Sequence, residues 1–339
     1  MSRIMIAGTG SGSGKTTIVC GLCRCIKDLG RTPSALKCGP DYIDAMFHSR
    51  VLKMRTGNLD SWFCDKTTIR TLLAKKEKSS DIAVIEGVMG YYDGVGGIST
   101  KASAYDLADT TDTPVILVVN SRGMSISLAA YIKGFMEYKE KSHIKGVIFN
   151  QMSPMLYPRM KKLVEEQLEV EVLGYVPKVE DCVIESRHLG LVLPEEISDL
   201  RERLQKLAGI LEDTLEIDRI LGLAKNAEEL QVPESLIQKD RTYGYCLPQK
   251  LRIGVAKDEA FCFFYEDNFR LLQEMGAELV DFSPIHDEHL PADLDGILLY
   301  GGYPELNGEA LERNASMKEE IAQAVKPVSY THLTLPTIA

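Results

Sequence analysis

Residues 4–17 read IMIAGTGSGSGKTT. Apolar residues of strand character, Ile4–Ala7, run into a glycine-rich turn, and Lys15-Thr16-Thr17 open a helical pattern that continues to Leu29. Backbone N–H groups in such a turn point inward, and the N-terminus of the following helix adds positive potential, so the arrangement suits phosphate. Gly10, Gly12 and Gly14 keep the backbone permissive, although the strict pattern asks for glycine at position 9 and this chain has Thr9. Lys15 is expected to reach the outer phosphates and Thr16 to ligate Mg²⁺. Gly10, Ser11, Gly12, Ser13, Gly14, Lys15, Thr16 and Thr17 together form the expected nucleotide-binding loop.

The pattern repeats outward from this loop. Short unbroken apolar runs at Ile4–Ala7, Ser34–Lys37, Ile82–Glu86, Val115–Asn120, Gly146–Asn150 and Val172–Val176 alternate with helical segments such as Thr16–Leu29, Ser125–Tyr138 and Pro158–Leu168. Strands apolar throughout are those covered on both faces, which predicts a doubly wound, mostly parallel α/β sheet over residues 1–192. A charged helical stretch and a polar linker follow over 193–250. A second α/β unit opens at LRIGVAKD and spans 251–328, with strands at Ile253–Ala256, Glu278–Phe282 and Gly296–Tyr300.

Ligands of parallel sheets collect at the C-terminal ends of the strands. Glu86 closes the strand DIAVIEG, where a carboxylate can hold Mg²⁺ directly or through water, and KCGPDYID places Lys37, Asp41 and Asp44 at the same edge. Asp93 lies in the glycine-rich loop just past Glu86. Asn150 ends IKGVIFN, where an amide could read a purine edge or cap a loop.

The formal charge of the 339-residue chain is −10, which argues against a nucleic-acid surface. No apolar run reaches membrane-spanning length and no signal peptide precedes the first strand, so no membrane partner is expected. The eight cysteines are scattered; Cys20, Cys23 and Cys25 cluster on a helical stretch without a second pair to complete a zinc site. That usage points to a reducing compartment, the cytoplasm.

Taken in order, AGTGSGSGKTT, KCGPDYID, NLDSWF, AVIEGVMGYYDG, ESRHLGL, DEAFCFFYEDN and YGGYPEL make the chain resemble the cobyrinate a,c-diamide synthase family over about residues 3 to 327. The resemblance implies an N-terminal P-loop synthetase domain and a C-terminal class I glutamine amidotransferase domain. It implies ATP and Mg²⁺ as cofactors, with Lys15 and Thr16 at the phosphates and metal. Asp41 and Glu86 are implied around Mg²⁺ and the γ-phosphate, and Asp93 near the reacting centre. Tyr42, Ile43 and Asp44 of PDYID, with Lys37, Arg187 and His188 of RHLGL, are implied at the corrin substrate. The stretch STKASAYDLA is bulkier and more charged than the small-residue segment the family leads one to expect.

The implied reaction is ATP-dependent amidation of the a and c carboxylates of cobyrinate through an acyl phosphate, with ammonia from glutamine. Hydrogenobyrinate or nickel sirohydrochlorin would suit the same chemistry, and the residues do not separate these tetrapyrroles. A partition-type or septum-positioning switch ATPase shares the fold, but usually carries an extra lysine early in the loop, where this chain has Gly10. Gly301 and Gly302 in GILLYGGYPE look like the oxyanion turn of the glutaminase. In the family the nucleophilic cysteine lies on the next strand; no cysteine follows Cys262, so the amidotransferase domain is expected to be incomplete and its glutaminase inactive. Residues 329–339, SYTHLTLPTIA, match nothing in the family and read as a non-native tail. A homodimer fits this fold family.

Overall fold

The computed structural model describes residues 2–77, 80–179, 196–233 and 250–326. The chain divides into two compact units, Met1–Gln238 and Lys239–Ala339.

The first unit is built on a seven-stranded sheet, in order of sequence β1 (Arg3–Gly8), β2 (Pro33–Cys38), β3 (Arg55–Leu59), β4 (Ile82–Glu86), β5 (Val115–Asn120), β6 (Ile144–Asn150) and β7 (Glu171–Val176). Their spatial order is β3-β2-β4-β1-β5-β6-β7 and every pairing is parallel. Parallel neighbours need crossovers, and the helices α1 (Lys15–Asp28), α2 (Tyr42–Leu52), α3 (Lys66–Glu77), α4 (Ala104–Thr111), α5 (Ser127–Glu137) and α6 (Tyr157–Gln167) supply them. Side chains alternate across each strand, so the sheet builds two cores. Ile4 and Ile6 of β1 face one core, lined by Ile18 and Leu22 of α1 and Phe47 and Val51 of α2. Met5 and Ala7 face the other, lined by residues of α3, α4, α5 and α6 such as Leu73, Leu107, Ile132 and Val164.

Two further helices, α7 (Glu196–Thr214) and α8 (Ile217–Lys225), join the first of these cores through Leu204, Leu207, Ala208, Leu211, Ile220 and Ala224. The α1–α7 contact is close: a Cβ on Gly21 would lie 2.4 Å from Leu211 Cδ1. The helical stretch set apart from the sheet domain by sequence thus packs within the first unit.

The second unit holds a parallel three-stranded sheet, order β10-β8-β9, from β8 (Arg252–Ala256), β9 (Glu278–Phe282) and β10 (Gly296–Leu298). Its helices are α9 (Glu266–Glu274), α10 (Gly308–Arg313) and α11 (Ala315–Val325), and its small core gathers Ala256, Phe282 and Met317. β10 ends two residues short of the expected strand. Beyond it, Gly301 forms an isolated antiparallel bridge with Phe263.

Candidate functional site

The phosphate loop joins β1 to α1. Gly12 (φ 71°) and Gly14 (φ 92°) occupy left-handed backbone that L side chains rarely adopt, which explains glycine at both positions. A Cβ on Gly14 would also lie 2.2 Å from Asn150 Nδ2, and one on Gly8 would lie 2.0 Å from Ser13 Oγ. Ser13 is buried, and its hydroxyl has no hydrogen-bond partner among the described residues. Lys15 opens α1, and its Nζ donates to the carbonyls of Gly10 (3.1 Å) and Met89 (2.5 Å). Burial, reinforced by Lys37, lowers its pKa to about 8.

Parallel register sets Lys37 of β2 directly beside Glu86 of β4, and Glu86 beside Ile6 of β1. One row of the sheet therefore delivers these groups to the base of the loop. Glu86 is fully buried. Its Oε1 accepts from Thr16 Oγ1 (2.5 Å) and Lys37 Nζ (3.0 Å), and its Oε2 lies 3.1 Å from His48 Nε2. Burial acts to raise its pKa, but Lys37, His48 and Thr16 outweigh it and hold the carboxyl well below the usual range.

Lys37 also donates to Asp44 Oδ2 and lies 3.7 Å from Asp41 Oδ2. Burial would lower its pKa; Glu86, Asp44 and Asp41 reverse this and hold it firmly charged. Asp44, inside α2 and buried, is pushed up to about 7, first by burial and then by the neighbouring Glu86 charge. Asp41 caps α2: its Oδ1 accepts from the N–H groups of Ile43 (3.1 Å) and Asp44 (3.4 Å).

The structure thus brings Lys15, Thr16, Lys37, Asp41, Asp44 and Glu86 together. Ser11, Gly12 and the half-buried Thr17 lie on the loop and first turn beside them. Lys37 is not an open attractor for an anionic substrate: it is buried and already neutralised by three carboxylates. Ile43 is half-buried and packs against the hydrophobic core beside Asp41 and Asp44. Tyr42 begins α2 at the same edge. Asn150 Nδ2 donates to the Ser13 carbonyl (2.8 Å) and its Oδ1 accepts from the Gln151 N–H (3.0 Å), so the amide braces the loop from below. Asp93 is exposed in the loop after β4, where its Oδ2 accepts from the Gly90 N–H (2.9 Å). Arg187 and His188 lie outside the described residues, as does 329–339.

His48 escaped the sequence reading. It sits on α2 seven residues past Asp41, with Nδ1 3.7 Å from Cys20 Sγ and Nε2 on Glu86. The signal was available: one turn past Asp44, position 48 returns to the same helix face. Among the described residues no group of three or more His, Cys, Asp or Glu could hold a metal ion by itself. No described helix is long and apolar enough to cross a membrane.

In the second unit the Gly301 carbonyl accepts from the N–H groups of Cys262 (3.0 Å) and Phe263 (2.9 Å), and the Tyr303 N–H reaches the Ala260 carbonyl (3.0 Å). A Cβ on Gly302 would lie 2.1 Å from that carbonyl oxygen, so this turn is closed to any side chain.

A family model described as an AAA domain matches residues 51–186, and one for the CobB/CobQ-like glutamine amidotransferase domain matches residues 252–329. The cobyrinate a,c-diamide synthase of Priestia megaterium is 36% identical over 338 residues, covering 99% of this chain and 71% of that protein. Those of Limosilactobacillus reuteri (strain DSM 20016; 38% identity, 97% of this chain, 71% of that one) and Dehalococcoides mccartyi (strain CBDB1; 41%, 95% and 69%) are similar over nearly the same extent. The phosphate loop on a parallel sheet, followed by an amidotransferase-type unit, is what such relatives would share, and at this identity and coverage the chain belongs to the cobyrinate a,c-diamide synthase family, ATP-dependent ligases of the glutamine amidotransferase type.

Proposed function

We propose that the chain amidates the a and c carboxylates of cobyrinate by way of an acyl phosphate, and that residues 251–328 belong to the unit that supplies ammonia from glutamine. The observation that carries the reading is the hydrogen-bonded row Thr16–Glu86–Lys37–Asp44 directly beneath a phosphate loop.

The residues fit a Mg²⁺-bound nucleoside triphosphate. Ser13 carries a buried hydroxyl unpartnered among the described residues, Gly12 and Gly14 turn the loop as phosphate-binding backbone requires, and Lys15 stands at the helix entrance. Thr16 and Glu86 are the side chains that would hold Mg²⁺, with Asp41 across Lys37 from them; sites completed by nucleotide phosphates need only one or two protein ligands. When bound, Mg²⁺ neutralises charge on the phosphates of the nucleotide.

A carboxylate is a poor acyl donor because oxide would have to leave. The substrate carboxylate oxygen attacks the γ-phosphorus in line, the bond to ADP breaks, and the acyl phosphate results. Lys15 and the loop N–H groups take up the charge that spreads over the transferring oxygens. Ammonia then adds to the acyl carbon, phosphate leaves with the bonding pair, and the nitrogen loses a proton. Asp44, poised near neutrality, and Asp93 on the adjacent loop are the carboxylates we assign to the substrate side. Gly301 and Gly302 belong to the oxyanion turn, and Arg187 anchors a substrate carboxylate through its fork.

The test is ATP- and Mg²⁺-dependent conversion of cobyrinate to its diamide with ammonium as nitrogen source, followed by mass spectrometry. This makes it independent of the second unit. Appearance of ADP in step with each added amide is expected; ATP hydrolysis that cobyrinate does not stimulate would refute the assignment.

A further inference from the structure

The segment NLDSWF contributes a feature that the phosphate chemistry does not use. After β3 the chain turns at Asp60, which is buried. Its Oδ1 accepts from the N–H groups of Trp62 (2.9 Å) and Phe63 (3.4 Å), and its carbonyl accepts from the Cys64 N–H (3.0 Å). Cys64 packs against the core, so the turn is held at both ends. Yet the two rings it carries face water: Trp62 is 47% and Phe63 65% exposed. A fixed turn that keeps two large apolar groups in solvent forgoes the burial that stabilises most aromatics, and such a patch marks a contact surface.

The turn lies beside the reacting centre. Lys101 Nζ sits 5.5 Å from the Trp62 ring centroid. The Lys101 carbonyl accepts from the Val95 N–H (3.0 Å), two residues past Asp93, and Asp93 holds Gly90 in the loop whose Met89 carbonyl receives Lys15. A continuous run of contacts thus leads from the exposed indole to the phosphate lysine. β3 and β4 flank β2, so the turn after β3 stands two strand spacings, roughly 10 Å, from the strand carrying Glu86.

We propose that Trp62 and Phe63, with Lys101 at their rim, form the face on which the flat macrocycle of a carboxylated tetrapyrrole stacks while one of its acetate arms reaches the phosphate site; this rests on the amidation of cobyrinate proposed above. The charge balance points to this occupant. Both the protein, at −10, and a polycarboxylate repel each other at long range, and Lys37 is already neutralised. Affinity must therefore come from contact. Ring-on-ring dispersion is indifferent to net charge, and a lysine over an aromatic face places one cation where peripheral carboxylates arrive.

Trp62 is the one tryptophan of the chain, so its emission reports directly on the site. Cobyrinate titrated into the protein with a non-hydrolysable ATP analogue should quench that emission. Equilibrium dialysis read by corrin absorbance then compares variants: the double variant Trp62→Ala/Phe63→Ala should bind cobyrinate at least about tenfold more weakly, and Trp62→Phe within about threefold of wild type. Affinity for a fluorescent ATP analogue and the thermal midpoint should not move, since both rings are on the surface. A double variant that binds cobyrinate within twofold of wild type overturns the site, as does one whose mass by light scattering drops from dimer to monomer, which would assign the rings to a second copy of the chain. If the wild-type protein binds no cobyrinate in dialysis, it is the amidation itself that fails, and the stacking face falls with it.

Discussion

Asp44→Asn should stabilise the protein at alkaline pH while removing its activity. Asp44 is buried beside Glu86 and has a pKa near 7 in the folded chain, against about 3.9 in an unfolded one. A carboxyl whose folded pKa lies above its unfolded value binds more protons in the native state between the two. Stability therefore falls as pH rises from about 4 to about 7 and is level beyond. Three pKa units at about 1.4 kcal/mol each put the ceiling near 4 kcal/mol. An asparagine amide stands in for the protonated acid but sets its own donors beside the Lys37 ammonium, which costs about 1–3 kcal/mol. A net gain of about 1–3 kcal/mol at pH 8 remains, shrinking to nothing at pH 5, where wild-type Asp44 is itself protonated. Glu86 does not blur this window. Its folded pKa is depressed, so its contribution is fully present above about pH 4.5 and is lost only in stronger acid. Lys37 keeps its 3.0 Å partner Glu86 in the variant. Urea denaturation at pH 5, 6.5 and 8, followed by emission of Trp62, reads the first unit alone. A variant less stable than wild type by more than 1 kcal/mol at pH 8 would show that the Lys37–Asp44 ion pair is net stabilising and would refute the reasoning.

Other expectations concern the neighbours of this cluster. His48→Phe removes the partner of Glu86 Oε2 and should raise the Mg²⁺ concentration for half-maximal ATP turnover about tenfold, with His48→Gln recovering most of it; an unchanged Mg²⁺ dependence would reduce His48 to packing. Gly21→Leu drives a side chain into Leu207 and Leu211 of α7 and should cost about 1–3 kcal/mol in thermal or urea unfolding, with a normal midpoint excluding the α1–α7 contact.

What sequence revealed and what it hid divide along physical lines. The strands with continuous apolar runs were legible because both their faces are buried. β3, RTGNL, was not: it is an edge strand with a glycine and three polar residues, and only its pairing with β2 makes it a strand. α2 was hidden because PDYID reads as a strand-end loop, although Asp41 in retrospect is a helix cap with its carboxylate on the N–H groups two and three residues on. Thr16, Lys37, Asp44 and Glu86 could be named one by one from strand ends, but their common hydrogen-bonded cluster follows from the register of β1, β2 and β4, which no local pattern encodes. The contact of Asn150 with the phosphate loop is hidden for the same reason: it is 137 positions from Ser13 in sequence, and its amide meets the loop only once β6 stands two places from β1.

The cluster also bears on how a phosphate enters. Lys15 does not point into open water; it is buried and donates to two main-chain carbonyls, Gly10 within the loop and Met89 on the neighbouring one. A triphosphate must take Lys15 from those acceptors, so its net gain is the difference between two sets of hydrogen bonds and not a bare ion pair. That difference still favours phosphate, because carbonyl dipoles do little for a charge that burial and Lys37 both destabilise, whereas an anion reverses both penalties. The same exchange would free the Met89 carbonyl, and with it the loop that carries Asp93 and, through the Val95–Lys101 hydrogen bond, the lysine over Trp62. Nucleotide binding and the exposed aromatic turn are thus joined by a run of contacts that starts at the Lys15–Met89 hydrogen bond. If that bond transmits anything, saturating ATP analogue should change the emission of Trp62 before any corrin is added, and the change should vanish in Lys15→Met. Emission indifferent to the analogue in wild type would mean that the two halves of the site act separately.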